Sequence, residues 1–490
     1  MLSSPPIPGR APAPRSCSPR KFLMLAKTLH FLFIAIEVLA IFNLLIIVHE
    51  LGHFLAARWR GLYIEEFGIW FGKPIWRKRI NGVWYSLGSI PAGGFVKLPQ
   101  LAPMEAIEGE SDVPREALQP ISPLDKIIVA LAGPVFSIGL AFAMATAVWV
   151  VGKPQNEIDT TTIGYVAKDG PADKAGLKPG DKVLSVDGKN VTHFVSGTNS
   201  VKWAIIRSEG EKIAFRIKRD GVEQTIECGW LKPSQAGWHR PALREVQIGP
   251  LIKPGVGFVE AKSPADQAGF KVGDLITAID GQPVGELEQL EPLVVAHAGR
   301  PMPVTVERNK VLVPLTLNVP EIKPGEAKPS FDLGIGWGRT TLSHPTPWQQ
   351  VSESATTIFR MVGALASPKS DVKASHFSGP VGIMKLYYTV FEAEDAWRLA
   401  LGLSVLINVN LGLLNMLPFP VLDGGHIMLA IIEGIRRKPV SVRVLEIVQT
   451  ACAVALIGFM LYVTFFDVGD FFGRRPKDAP KTEEKAAPAK

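Results

Sequence analysis

The sequence predicts a polytopic α-helical membrane protein that carries folded α+β units between its crossings. Three observations lead there. Four apolar segments, at about 29–48, 126–151, 398–416 and 444–466, are long enough for a hydrocarbon core ~30 Å thick, which roughly 20 helical residues cross. A sequence pattern recurs in the long polar stretch between the second and third segments. Histidine, glutamate and aspartate interrupt the first and third segments, where polar groups are costly and mark function. The chain has 490 residues, 47% hydrophobic, with a formal net charge of +7, too long for one compact domain. Cys17, Cys228 and Cys452 are scattered and supply neither a disulfide framework nor a paired thiolate site. The basic excess clusters beside the apolar runs, where membrane orientation accounts for it better than nucleic-acid binding, so no nucleic-acid partner is expected.

Residues 1–21, rich in proline and basic groups, read as a disordered N-terminal extension. A cleaved signal peptide is disfavoured, because the apolar run is too long and leads straight into a polar motif. The first transmembrane helix occupies 22–62, continuing as helix to about Arg58, and holds His49-Glu50-Leu51-Gly52-His53. Two imidazoles at i and i+4 share one helical face about one turn apart, so both can reach a single zinc ion. Glu50 is then placed to accept a proton from the metal's water. A zinc site on an apolar helix implies hydrolysis inside the bilayer.

Residues 63–100 alternate at Val83-Trp84-Tyr85-Ser86-Leu87 and continue into Pro91-Ala92-Gly93-Gly94-Phe95-Val96-Lys97, reading as a β-hairpin or sheet dipping into the membrane near the metal. A loop at 101–123 leads to the second transmembrane helix, 124–152. Arg58, Arg60, Lys73, Arg77, Lys78, Arg79 and Lys97 follow the first crossing, and Arg436, Arg437, Lys438 and Arg443 precede the fourth. The positive-inside rule puts both groups in the cytoplasm, although the N-terminal tail is basic as well.

The recurring pattern is Gly170-Pro171-Ala172-Asp173-Lys174-Ala175-Gly176-Leu177-Lys178-Pro179-Gly180-Asp181 and Ser263-Pro264-Ala265-Asp266-Gln267-Ala268-Gly269-Phe270-Lys271-Val272-Gly273-Asp274, each followed by an apolar strand and an Asp-Gly turn. It resembles PDZ domains of the bacterial protease type, which implies two in tandem, at 153–245 and 246–340. Such modules take an extended peptide onto a sheet edge, so peptide termini are candidate partners; a spacer or steric filter is the alternative. Residues 341–385 contain an amphipathic interfacial helix at about 347–366, with Val351, Ile358, Phe359, Val362 and Leu365 on or near one face.

The third crossing, 386–426, ends in Asn415-Met416-Leu417-Pro418-Phe419-Pro420-Val421-Leu422-Asp423-Gly424-Gly425-His426. An aspartate in an apolar helix costs about 2.5–3.5 kcal/mol and needs a partner. Zinc is the obvious one, since two histidines plus a carboxylate leave the fourth position open. Pro418 and Pro420 break the helix there and leave room for a substrate. His426 reads as a polar cap rather than a further ligand. A loop and the fourth crossing fill 427–472, and 473–490 is a disordered tail.

Together these motifs resemble the site-2 protease family of intramembrane zinc metalloproteases, and within it the bacterial regulator of sigma-E protease branch, over roughly residues 29 to 470. The resemblance implies four transmembrane helices, a re-entrant β-loop and two tandem PDZ-like α+β domains. It implies Zn2+ held by His49, His53 and Asp423, with Glu50 as general base. It also implies substrate binding by Asn415, Pro418 and Pro420 and by the loop glycines Gly72, Gly93 and Gly94, the β-loop pairing with an unwound substrate. Substrates would be transmembrane segments of single-span proteins in the bilayer, such as a pre-cleaved anti-sigma factor or remnant signal peptides. The expected location is the bacterial inner membrane, with the PDZ-like domains outside the cytoplasm and the zinc roughly 13 Å inside the cytoplasmic boundary, at ~1.5 Å per helical residue. Two departures from the family pattern concern substrate positioning. Trp70 stands where the first Gly of a Gly-x-Gly is usual, and Ser137 where an Asn commonly follows Gly133-Pro134. Glu37 lies three turns before His49, too far for a direct catalytic part. Two rival readings are an inactive PDZ-bearing membrane scaffold and, less favoured, a metal transporter.

Overall fold

The computed structural model describes residues 19–472 except 102–112, 114–117, 157–159, 196, 234–239, 261, 285–286, 322–332, 339, 369, 394 and 439. The expected tail at 473–490, most of the 101–123 loop and nearly all of the 1–21 extension lie outside the described residues; Pro19–Lys21 open a helix instead.

Helix α1 (Pro19–Arg60) ends where Gly61 takes φ +73° and Leu62 N–H bonds the Ala57 carbonyl, a left-handed closure that glycine adopts without strain. A four-stranded sheet follows: β1 (Glu66–Phe71), β2 (Trp76–Ile80), β3 (Val83–Leu87) and β4 (Ile90–Lys97), ordered β2-β3-β1-β4. Strands β1 and β3 run parallel, and the other pairs are antiparallel. Asn81-Gly82, both at positive φ (50° and 86°), make the tight β2–β3 turn, and β4 is an open edge. Phe54 of α1 stands edge-on to Phe67 of β1, ring centres 5.4 Å apart, which seats the sheet on the helix.

Helix α2 (Pro123–Val151) starts at Ser122, whose hydroxyl accepts from Asp125 N–H, with Pro123 in the first turn. It packs along α1 through small residues. A Cβ on Gly52 would fall 2.5 Å from the Ala132 carbonyl oxygen, so only glycine permits that approach.

The soluble half contains two units of like design. Each has a short helix (Pro171–Ala175, Pro264–Ala268) closed by a left-handed Gly176 or Gly269, and a four-stranded sheet around an apolar core. In each, the last aspartate of the repeat is buried and bound bidentately by an arginine. Arg219 reaches both Asp181 oxygens at 2.6 and 2.7 Å, and Arg308 both Asp274 oxygens at 2.7 Å. Both guanidinium groups also donate to the carbonyl of the helix-ending glycine. The expected boundary at 245/246 is misplaced. Ile248–Pro250 pairs antiparallel with Ile163–Val166, completing the first unit, because Leu251 N–H closes onto the Thr162 carbonyl. Lys153–Asn156 pairs with Thr340–Ser343, so the strands entering and leaving this half bond to each other.

Helix α3 (Pro347–Ala366) is capped by a reciprocal Thr346–Gln349 box. Its apolar residues divide: Val351 and Ile358 are buried, whereas Phe359, Val362 and Leu365 are exposed. The apolar segment expected at 398–416 is a helix, but the wider interval 386–426 assigned to the third crossing holds parts of three: the end of α4 (Pro380–Phe391), α5 (Ala396–Asn415) and the start of α6 (Asp423–Arg436). Pro418 and Pro420 cannot continue α5, and α6 carries residues 427–436, expected as loop, before α7 (Val442–Phe472). Thr28–Arg60, Pro123–Val151, Ala396–Asn415 and Arg443–Gly469 are four helices long and apolar enough to cross a membrane. Their exposed Phe31, Ile36, Val150, Ile457 and Leu461 suit contact with lipid.

Candidate metal centre

The spacing in α1 puts His49 and His53 one turn apart on the face turned to α2, and both side chains are buried. Asp423 arrives from the first turn of α6. Gly424 and Gly425 make that possible: Cβ atoms there would lie 2.2 Å from the Met416 carbonyl oxygen and 2.0 Å from that of Phe419. The turn from α5 thus folds flat against the start of α6.

Nε2 of His49 and Nε2 of His53 stand 3.3 Å apart. The Asp423 oxygens lie 3.1 Å from His49 Nε2 and 3.2 Å from His53 Nε2. Among the described residues this is the one trio of His, Cys, Asp or Glu whose ligand atoms converge, all within 4.8 Å of one another. Glu50 is not part of it.

The donor set fits zinc. Atoms bound tetrahedrally to Zn2+ at ~2.0–2.1 Å sit roughly 3.3 Å apart, as these do. The His53 Nδ1 faces the Val129 carbonyl at 2.8 Å, which only accepts, so Nδ1 carries the proton and Nε2 presents its lone pair. His49 Nδ1 has Ser137 Oγ at 3.0 Å, and the Asn415 amide nitrogen lies 3.1 Å from His49 Nε2. With both rings in that tautomer no hydrogen separates the imidazoles from the carboxylate, and Asp423 Oδ2 has no hydrogen-bond donor. Lone pairs and a negative charge facing one another at this range favour a cation between them.

A cavity of about 200 Å³ opens on the trio. Glu50 lines it, as do Asn415, Gly94 and His426, with Phe71, Phe95 and Leu422 among its apolar walls. A Cβ on Gly94 would lie 3.4 Å from Glu50 Cγ, so β4 passes directly over the glutamate.

His49, Glu50, His53, Asp423, Asn415 and Gly94 are therefore brought to one place. Four expected substrate-binding residues are not on the cavity wall. Pro418 is exposed, and Pro420 is buried with its carbonyl accepting from Gln449 Nε2 at 3.4 Å; both shape the α5–α6 turn. The Phe71 ring covers Gly93, and Gly72, at φ +88°, turns the chain out of β1. Glu37 is half-buried on α1, away from the trio.

Three contacts escaped the sequence reading. Ser137 and the Val129 carbonyl hold the two imidazoles, and Gly133 leaves the space they fill, since a Cβ there would lie 2.2 Å from His53 Nε2. The available signal was Gly133-Pro134 within an apolar helix, which marks a close helix contact.

A family model described as peptidase family M50 matches residues 37–459. A Neisseria meningitidis protein bearing a zinc metalloprotease name is 30% identical over 459 residues, covering 87% of this chain and 97% of its own. The regulator of sigma-E protease RseP of Escherichia coli is 29% identical over 463 residues, 90% of this chain and 99% of its own. Protease RseP of Yersinia pestis is 29% identical over 448 residues, 86% and 96% of the two chains. Among solved structures, a PDZ domain from Listeria monocytogenes aligns with 18% of this chain and 90% of its own, at 18% identity and a TM-score of 0.16.

Proposed function

The chain belongs to peptidase family M50 and is an intramembrane zinc metalloprotease, and from that premise we propose how its residues divide the work. His49, His53 and Asp423 hold the ion. The convergence of these three side chains, with no lysine or arginine paired to them among the described residues, is the observation that carries this reading. When bound, zinc supplies an acidified water and polarises the scissile carbonyl.

Glu50 accepts the proton released as water attacks, then returns it to the leaving amine. Its place on the cavity wall beside the trio, but outside the ligand set, suits a base rather than a ligand. Asn415 and Gly94 position the substrate backbone. A transmembrane helix must unwind before a peptide bond can be attacked, and the open edge of β4 supplies partners for the freed amides. In this reading the β1–β4 sheet is re-entrant, dipping into the membrane beside the metal. Gly72, Gly93, Pro418 and Pro420 act one step away, by shaping the strand and the turn that face the substrate.

The substrates are transmembrane segments of single-span membrane proteins, such as a pre-cleaved anti-sigma factor or a remnant signal peptide. Arg58 and Arg60 at the end of α1, and Arg436, Arg437 and Lys438 near the end of α6, support a zinc site nearer the cytoplasmic face of an inner membrane. The two repeat units then lie outside the cytoplasm as tandem PDZ-like domains, where they meet peptide termini or exclude bulky ectodomains. The exposed Trp348, Phe359 and Val362 of α3 suit the membrane surface.

The test is proteolysis in detergent of a panel of single-span segments, with and without a zinc chelator, beside Glu50→Gln. Cleavage within the apolar segment, abolished by the chelator and by the substitution, is expected. Equal processing by Glu50→Gln would overturn the reading.

A further inference from the structure

Trp70 adopts a backbone conformation that a bulky residue rarely takes, with φ +69°. It does so where the β1–β4 ladder loses register. Ile69 faces Gly94 and Phe71 faces Ile90, so Trp70 is opposed by Pro91, Ala92 and Gly93 together. Irregularities of this kind re-aim side chains beside active sites, and the residue at positive φ is ordinarily glycine.

What holds the tryptophan there is visible. Its indole N–H donates to Asn43 Oδ1 at 2.6 Å. Asn43 is buried on α1, and its amide nitrogen donates to the Leu39 carbonyl at 2.7 Å, which fixes the side-chain oxygen toward the indole. Asn43 precedes His49 on the same helix by roughly 9 Å at ~1.5 Å per residue, so the bond ties β1 to the helix that bears the metal ligands. Breaking it would leave a buried amide oxygen without its donor.

The break in register has a consequence at the cavity. The Phe71 ring lies over Gly93, where a Cβ would be 2.0 Å from its edge, and the Phe95 ring lies over Gly68, where a Cβ would be 2.3 Å away. The two rings stack with centroids 6.0 Å apart and planes 11° from parallel, and both line the cavity beside Glu50. One aromatic wall is thus set by two strands whose relative register is fixed at Trp70.

We propose that Trp70 is a positioning residue: bonded to Asn43, it locks the β1–β4 irregularity so that the Phe71–Phe95 stack narrows the subsite beside the metal, restricting it to small apolar side chains of the unwound substrate. The proposal rests on the protease reading above and assigns a specificity determinant within it.

The full chain, zinc-loaded in detergent and carrying Glu50→Gln to prevent turnover, is titrated with fluorescent single-span peptides that differ only in an alanine or a phenylalanine at the residues flanking the cleaved bond. Without further substitution the alanine peptide binds more tightly. Trp70→Phe and Asn43→Leu each weaken its binding about tenfold and erase the preference over the phenylalanine peptide. The double variant is no worse than either single one, because both remove the same bond. With Glu50 restored, each variant raises KM and leaves kcat and zinc content unchanged. Trp70→Gly, which relieves the backbone strain while removing the bond, loses the same preference and serves where either other variant folds poorly. An unchanged preference in these variants, effects that add in the double variant, or losses that track zinc content would overturn the proposal. The protease reading is judged separately, by whether the chain with Glu50 intact cleaves the alanine peptide and Glu50→Gln does not.

Discussion

Two buried aspartates in the soluble half, Asp181 and Asp274, and a partly buried one in the membrane half, Asp423, are accommodated in different ways. Asp181 and Asp274 are each gripped by both arms of an arginine. Among the described residues Asp423 pairs with no arginine or lysine and meets two imidazole nitrogens instead. A carboxylate taken out of water is tolerated only with its charge matched. In the repeat units the protein supplies the cation, and the aspartate is a fastener. Beside His49 and His53 it withholds one, which suits Asp423 to the ligand role proposed for it, whereas Asp467 on the last membrane helix has Arg240.

The largest effects should come from touching the membrane carboxylate and its neighbour. Glu50→Gln is expected to lower kcat by about 10²–10⁴-fold with zinc retained, while Asp423→Asn loses both activity and zinc; metal content by mass spectrometry separates the two. Retained stoichiometric zinc in Asp423→Asn would break the contrast. Next comes the fastener. Arg308→Met strands a buried Asp274 and should destabilise the second unit by about 3–5 kcal/mol, seen as faster hydrogen exchange confined to that unit in the full chain. Cleavage of a substrate lacking an ectodomain should be unchanged, since this aspartate is far from the metal.

Ser137→Ala removes the hydroxyl behind His49 and should cost 10- to 100-fold in zinc affinity, roughly the range for partners of metal-bound histidines, read by competition with a chelator. The smallest effect concerns a third kind of carboxylate. Asp371, outside the membrane helices, bonds Arg244 and Lys232 at 2.7 Å each and ties the first unit to the segment after α3. Burial raises its pKa, but the two cations outweigh that and hold it below the usual carboxylate value. The folded value lies below the unfolded one near ~3.9, so the pair stabilises above that pH and its contribution is lost as pH falls through the folded value. Hydrogen exchange at 370–376 should therefore quicken only in acid.

Legibility from sequence followed the range of the interaction. His49 and His53 are four residues apart on a helix, so their shared face follows from the helical period alone, and the apolar lengths of the crossings need only composition. Asp423 was found from a different property, the cost of its charge in an apolar setting. The partners of the imidazoles were missed because Ser137 and Val129 lie 88 and 76 residues from the histidines they touch; Val129 is ordinary in its helix, and Ser137, noticed as a departure, was assigned to substrate positioning, whereas its hydroxyl lies against His49. The break after α5 was legible from Pro418 and Pro420, but the short break between α4 and α5 was not, because hydropathy averages across the few residues from 392 to 395. The strand Ile248–Pro250 was placed in the wrong unit for a related reason: three residues carry too little pattern to declare a partner, and only pairing with Ile163–Val166 assigns it.

The antiparallel strands Lys153–Asn156 and Thr340–Ser343 form a neck through which the backbone leaves the membrane half and returns. Neighbouring strands are about 5 Å apart, so the backbone enters and leaves the soluble half at nearly one point, while bonds such as Arg240–Asp467 and Lys232–Asp371 brace the first unit against the segments that follow α3. Insertions placed away from those bonds can lengthen either unit without moving the points at which the chain joins the membrane helices. Loop lengths in the two repeat units are thereby free to vary with little effect on the spacing of the helices that carry the trio.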